Sequence, residues 1–547
     1  MLSRNFQNSF TLRYRQALAA LRIICDMWGI LRACAVLIVA ALACAQEKVD
    51  LEAVHRIRQE AFGNSKVMET AFYISDVFGG RYTGSPALRK SAEWAMKRMA
   101  EFGISDPHLE PWGIVFGRSW TNKRFSAHLL EPSYAPIIGV ARPHARSTNG
   151  VIRGEPVLAP LRTEADLPQY HGKLRGRIVF IDEPRALQVQ AKPLFSRFGP
   201  DDLARIEAGP ELGAKVGPYD PSARNKFRNA LNTFLNEEGA AATVTASFKI
   251  GRSDLGALVD GGTIFSTYAG ARRLDEPTAP PAAAIATEHY NRIARLLEHK
   301  IPVQVEFEIL NDLSESAVDS FSVIGEIPGS SRKDEIVILG GHLDSHMFGT
   351  GATDNAAGVA VVLEAARILR QLNLKLARTV RIGLWTGEEQ GFGALPYVQK
   401  FLANKETGAV LPAHAKVSGY FNFDDGTGKI RGVYMQNNDM MRPIFSAWFA
   451  PFRDLGVTTL TVAGEYGSDQ VPFDEAGIPA FQFIQDPMEY ETRTHHSSMD
   501  VYDRLQPGDL MQSAAVLASV VYHAANRDEM LPRKPMPKEF SKRGGAK

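Results

Sequence analysis

Apolar residues recur at helical spacing over residues 49–62 and 87–102, with the polar, glycine-containing stretch GGRYTGS between them, which predicts two helices joined by a turn. From about residue 125 to residue 309 the texture changes. There GKLRGRIVFID (172–182) ends in a buried strand, 227–244 reads as a helix running into the strand AATVTA, and PPAAAIATEHYNRIARLLEH reads strand, turn, helix. After residue 310 short apolar runs alternate with amphipathic ones. Strands are predicted over 335–340, 379–386, 416–423 and 478–484, and helices over 355–370, 395–403 and 508–524. This alternation predicts an α/β fold, a mostly parallel mixed sheet flanked by helices, whose functional crevice lies beyond the carboxyl ends of the strands.

That rule directs attention to the residues that follow each strand. His342 and Asp344 lie in GGHLDSH, Asp354 in GTGATDNAAG at a helix entrance, and Glu388 and Glu389 in TGEEQGFG. Asp424 and Asp425 follow VSGYFNF, and His495 and His496 follow FQFIQDPMEYETRT. Singly, an Asp before a helix is an N-cap and a Glu-Glu pair a solvated turn. Together, at one end of one sheet, they supply only the hard and borderline ligands that zinc takes when thiolate is absent. A hydrolytic zinc pair needs a bridging carboxylate, and Asp354 suits that part because its glycine-rich loop can bring it between two cations. Neighbours on a strand point to opposite faces, so Glu388 and Glu389 can share a site only where the strand has ended; Gly387, Gly391 and Gly393 supply the break.

A chain of 547 residues exceeds what one core usually serves. We expect a leader over 1–45, a first part of the catalytic domain over 46–124, an inserted α/β or β-rich domain over 125–309, the main catalytic part over 310–530 and a tail over 531–547. The run MWGILRACAVLIVAALACA reads as a secretory signal with small residues at its exit, which predicts a mature start near Gln46 and a secreted or periplasmic protein. Its apolar core is shorter than the roughly 20 residues of a spanning helix, so no stable membrane association is expected. All three cysteines, Cys25, Cys34 and Cys44, fall in the leader, so any metal must be held by His, Asp and Glu. Without the leader's five Arg and one Asp, 57 basic face 60 acidic residues, a balance that does not suggest nucleic acid.

HLDS, GATDNAAG, GEEQGFGA and HHSSMD, in this order, resemble the co-catalytic zinc metallopeptidase family of zinc aminopeptidases and plasma glutamate carboxypeptidases (carboxypeptidase Q). RYTGSPALRKSAEWAMKRM, HLEPW, GRIVFID and the C-terminal helix extend the likeness over nearly the whole mature chain. The resemblance implies that the insert is a protease-associated domain and that two zinc ions are bound per chain. It implies His342 and Asp424 on one zinc, Glu389 and His496 on the other, Asp354 bridging, Glu388 as general base, and Asp344 holding the second nitrogen of His342. Asp424 precedes Thr427 by three residues and His496 precedes Asp500 by four, as in the family, although either assignment could slip to Asp425 or His495. Where many relatives carry His, this chain has Gln470, which receives no role; His346, His414 and His523 are expected to be structural or surface residues. The implied activity is exopeptidase cleavage of peptides. The competing readings are a single-zinc acyltransferase resembling glutaminyl cyclase and a receptor-like protein of the same fold. The insert either shapes the cleft or mediates a homodimer, and the residues leave both open.

Overall fold

The computed structural model describes residues 47–187, 192–209, 221–247, 262–404 and 408–535, so the expected leader lies outside the described residues. All the sheets and helices described belong to the body Asp50–Lys547. No helix among the described residues is long and apolar enough to cross a membrane.

The larger core is built on one eight-stranded sheet. We label its strands β1 (Ser105–Gly117), β2 (Val318–Ile327), β3 (Arg332–His342), β4 (Arg378–Trp385), β5 (Val417–Asn422), β6 (Ile430–Tyr434), β7 (Thr459–Thr461) and β8 (Ala480–Gln485). Their spatial order is β1-β2-β4-β3-β5-β8-β6-β7. The centre is parallel, with β4, β3, β5 and β8 running together, whereas β1 with β2, β2 with β4, and β6 with β8 are antiparallel. The sheet is therefore more mixed than its alternating pattern predicts. β1 is the reason at one edge: it carries Pro107 and Pro111, and its register with β2 shifts between Pro111 and Val115, so no period of two is visible in it.

Central strands buried on both faces read as continuous apolar runs. Every residue of β5 and β8 is buried. Helices Ala357–Gln371 and Pro507–Asn526 cover one face with long stretches of fully buried Val, Leu and Ala. On the other face Ile338, Trp385, Tyr397, Val398, Tyr420 and Phe473 join the sheet to helices Leu395–Phe401 and Gln470–Glu475. In-register pairing of His342 with Trp385, of Gly340 with Asn422 and of Asn422 with Gln482 aligns the carboxyl ends of four parallel strands along one rim.

Two smaller sheets occupy the chain between β1 and β2. Long strands Trp120–Glu131 and Gln304–Leu313 pair antiparallel at the core of one, and a mostly parallel five-stranded sheet includes Ile178–Phe180, Ala242–Ala246 and Ala282–Ile285. Phe180, Tyr290, Val305 and Phe307 fill their shared core. The helix expected over 227–244 spans Pro221–Glu238 instead, because Gly239 takes a left-handed φ of 72° and ends it before the strand begins.

One buried ion cluster ties the N-terminal helix Leu51–Gly63 to the helical layer. Arg367 donates to Glu60 at 2.7 Å and to both oxygens of Glu364 at 2.8 and 2.9 Å, and Glu364 also accepts the backbone N–H of Lys66 at 3.1 Å. Removing the cation leaves two carboxylates in a dry environment, which costs about 3–5 kcal/mol when a buried pair is broken from one side. Arg367→Ala should thus move the unfolding midpoint in urea well below that of the parent; an unchanged midpoint would show that the cluster is solvated.

Candidate metal centre

The rim of the sheet places acidic and imidazole side chains from five segments in one cleft. His342 closes β3, the loop after β4 carries Glu388 and Glu389, the loop after β5 carries Asp424, and His496 follows β8. Asp354 arrives on the turn Ala352–Ala356 before helix Ala357–Gln371. Gly387, Gly391 and Gly393 all have left-handed φ (80°, 79° and 49°), and a Cβ at Gly387 would come within 2.4 Å of Trp112. The strand therefore stops at Trp385, and both glutamates turn toward the same space.

Asp354 is the meeting point. One of its oxygens lies 3.1 Å from His342 Nε2, and the other lies 3.2 Å from His496 Nε2. Asp424 Oδ2 stands 3.5 Å from His342 Nε2, and Glu389 Oε2 stands 2.9 Å from His496 Nε2. The neighbouring duplicates face elsewhere or stand off. Asp425 takes a φ of 70° and accepts from Gln482 at 3.1 Å, while His495 stacks on Tyr490 and remains 3.8 Å from Asp354. Ligand atoms lie within 4.8 Å of one another in three overlapping groups among the described residues: His342, Asp354 and Glu389; His346, Glu389 and His496; and Asp354, His495 and His496.

Charge in the cleft is unbalanced. Burial disfavours a charged His342, but Asp424, Asp344 and Asp354 together raise its pKa well above the ordinary imidazole value. Burial likewise opposes ionised Asp354, and His342 and His496 nevertheless hold it well below the usual range. Glu389 is kept at about 2, against burial and the charge of Asp354, by His346 and His496. Glu388 behaves differently: burial raises it well above the usual carboxylate range, His342 opposes this, and Asp424, Asp469 and Glu389 add to it. A field that stabilises protons on two imidazoles would stabilise a cation in their place.

The donor set fits such a cation. Nδ1 of His342 donates to the Asp344 carbonyl at 3.0 Å, which turns the buried Nε2 toward Asp354 and Asp424 as the nitrogen a cation would take in place of its proton. Oxygen and imidazole donors without thiolate suit zinc or a similar divalent ion. The backbone of Asp344, rather than its carboxylate, makes the close contact with His342. The carboxylate instead accepts from Glu388 N at 3.2 Å and Thr83 Oγ1 at 3.3 Å, and so fixes the glutamate loop.

Three supporting residues escape a sequence-level reading. Asp500 accepts from Thr353 N at 2.6 Å, Thr353 Oγ1 at 2.8 Å and Asp354 N at 3.2 Å, setting the turn that presents Asp354. Arg81, fully buried in the RYTGS stretch read as a simple turn, donates to the carbonyls of Ile74, Gly79, Leu343, Thr350 and Gly351 at 2.7–3.0 Å. It therefore clamps the loop after His342 to the loop before Asp354. The expectation for His346 needs correction: its Nε2 lies 2.9 Å from Glu389 Oε2, and its ring stacks between Tyr268 and Phe348, inside the cluster. His414 and His523, in contrast, are satisfied core residues bonded to Ala476 and to Asp50 and Ser519. Gln470 turns to Glu465 and Asn422, away from the ligand groups.

The sequence pattern of peptidase family M28 matches residues 322–521. The chain is similar to carboxypeptidase Q of Homo sapiens, with 26% identity over 464 residues covering 84% of this chain and 85% of that protein. Among solved structures, a peptidase M28 precursor from Shewanella amazonensis superposes with a TM-score of 0.62 at 25% identity, covering 88% of this chain and 98% of that one. A zinc aminopeptidase from Bacillus subtilis shares the fold, with a TM-score of 0.52 at 18% identity over 87% of this chain and 96% of that one.

Because Arg81 holds both ligand-bearing loops by backbone carbonyls, its replacement should be felt at the metal. Arg81→Lys keeps a charge but has three donors in place of a planar five-donor fork. We expect zinc affinity to fall about 10–100-fold, as for other groups that orient ligands. Competition with a chromophoric chelator would measure it, and parent-like affinity would show that the clamp is dispensable.

Proposed function

We propose that this chain, an M28-family peptidase by its residues 322–521, is a zinc-dependent exopeptidase that uses Glu388 as general base between two metal positions sharing Asp354. The observation that carries the reading is the carboxylate of Asp354, which presents one oxygen toward His342 and the other toward His496, at 3.1 and 3.2 Å. A carboxylate so placed could serve cations at both imidazoles at once. His342, Asp354 and Asp424 would hold one cation, and Asp354, Glu389 and His496 the other. When bound, the pair supplies positive charge for the scissile carbonyl and the attacking water.

The protein's own part is proton transfer and positioning. Glu388 is half-buried at the cleft, is fixed through its backbone N–H by Asp344, and has its proton affinity raised by burial, as a base that must hold a proton briefly requires. Its carboxylate takes a proton from the attacking water and returns one to the leaving amine. His346 Nε2 and His496 Nε2 both approach Oε2 of Glu389 and hold that carboxylate toward the centre. The insert is read as a protease-associated domain that walls the cleft; its separate core and the hydrogen bond of Tyr268 to the Glu389 carbonyl at 3.2 Å support this. The apolar leader supports export from the cytoplasm.

Glu388→Gln should keep the metals, because Glu388 is in neither ligand set, and should lower kcat by about 10²–10⁴, the range of a lost general base. Elemental analysis beside release of amino acids from short peptides tests both parts. Two zinc ions per chain are expected in the parent, with activity lost to a chelator and restored by zinc. One ion per chain would favour the acyltransferase reading, and a fully active Glu388→Gln would end the assignment of the base.

A further inference from the structure

His346 faces the cleft four residues after His342 and stands outside both proposed ligand sets. Its place is well fixed. Ser345 Oγ donates to its carbonyl at 2.9 Å and accepts the Arg81 N–H at 3.0 Å, which ties this loop to the arginine clamp. The ring lies between Tyr268, 5.8 Å away at 24°, and Phe348, 5.5 Å away at 15°. Its backbone N–H donates to Oε1 of Glu389 at 3.1 Å, while Nε2 lies 2.9 Å from Oε2 of the same carboxylate. Nδ1 is buried and has no hydrogen-bond partner among the described residues, so none of them fixes the tautomer.

Donors from separate segments converge beside it. His346 Nε2 and His496 Nε2 each stand 2.9 Å from Glu389 Oε2, their ring centroids are 4.1 Å apart, and His496 Nε2 is also 3.2 Å from Asp354. The ligand atoms of His346, Glu389 and His496 all lie within 4.8 Å of one another. Zinc bonds to nitrogen and oxygen are about 2.0–2.1 Å long, which makes the edge of a tetrahedral donor set about 3.3 Å. The contacts at 2.9 and 3.2 Å are near that edge, so a cation among these donors needs only small shifts along them. We propose that His346 is a protein ligand of the same cation as Asp354, Glu389 and His496. The inference rests on the two-position reading. It gives this position two imidazoles and two carboxylates, a closed set of four of the kind that holds structural zinc, whereas His342, Asp354 and Asp424 make three and leave a place open. The nitrogen-richer, closed position is the one that retains its ion when the other loses it.

The full-length protein loaded with two cobalt ions tests this without a substrate. Each imidazole on cobalt should give one exchangeable N–H proton resonance shifted far outside the ordinary range. Three are expected in the parent, from His342, His346 and His496, and two in both His346→Gln and His346→Phe. Gln keeps a hydrogen-bond donor toward Glu389, and Phe keeps a ring between Tyr268 and Phe348, so a purely structural part for His346 is preserved by one variant or the other. Chelator competition should show one of the two zinc ions bound at least about 100-fold more weakly in both variants, at or beyond the top of the range for residues that only orient a ligand. A smaller loss in either variant shows that the donor or the stacked ring suffices, and overturns the assignment. Two shifted resonances in the dicobalt parent overturn it as well, even where a variant fails to fold, and three that persist in both variants assign the third imidazole to His495 instead; each of these leaves the peptidase reading standing. A parent that takes up fewer than two ions removes the two-position reading and this ligand with it.

Discussion

The carboxylate of Asp354 has to sit between two imidazoles, one oxygen to each, in a cleft already crowded with negative charge. Left to itself it would swing toward water, because burial disfavours its ionised form. Its place is enforced from behind. Asp500 accepts its backbone N–H and both donors of Thr353, and Arg81 holds the carbonyls of Thr350 and Gly351 just before it. Arg81 also balances the cluster, since Asp500, Asp344, Asp354 and Glu389 all offset the burial that lowers its own pKa to about 10. A cation built into the scaffold thus stands behind the cluster of carboxylates and imidazoles, and it is held there by its five carbonyl bonds.

The strand ends of the parallel core were legible because each is a short apolar run followed by glycine and ligand-type residues, and the positions of His342, Glu388 and Asp424 follow from that pattern. The antiparallel margins were not. β1 hides behind two prolines and a register shift, and β7 has three residues, too few to show a period. His346 was obscured for another reason: in HLDSHMF nothing distinguishes it from a loop residue, and only the approach of Tyr268 from the insert and of Glu389 from the next strand gives it neighbours. Arg81 is the sharpest case. An arginine in a glycine-rich turn reads as exposed, and its burial depends on five carbonyls drawn from three separate stretches of chain.

The insert enters and leaves through Trp120–Glu131 and Gln304–Leu313, which pair with each other and with short strands of the insert. The central sheet therefore gives up no ladder hydrogen bonds to accommodate it, and the insert can carry its own core. Its return to the cleft is local and polar. Ile264 exchanges hydrogen bonds with Ser498, Phe265 bridges to Ser497, and Tyr268 bonds to the Glu389 carbonyl.

These attachments bear on how the centre assembles. His496 sits directly before the Ser497–Ser498 pair that the insert holds, with φ at 60°, a backbone state that a histidine seldom keeps unless its neighbours fix it. Glu389 is gripped through its carbonyl by Tyr268 of the same insert segment. His496 and Glu389 are thus each held in part by the insert, whereas His342 and Asp424 stand at the ends of the parallel strands. The two sides of the cluster draw on different parts of the fold, and Asp354, clamped by Asp500 and Arg81, reaches the imidazoles of both.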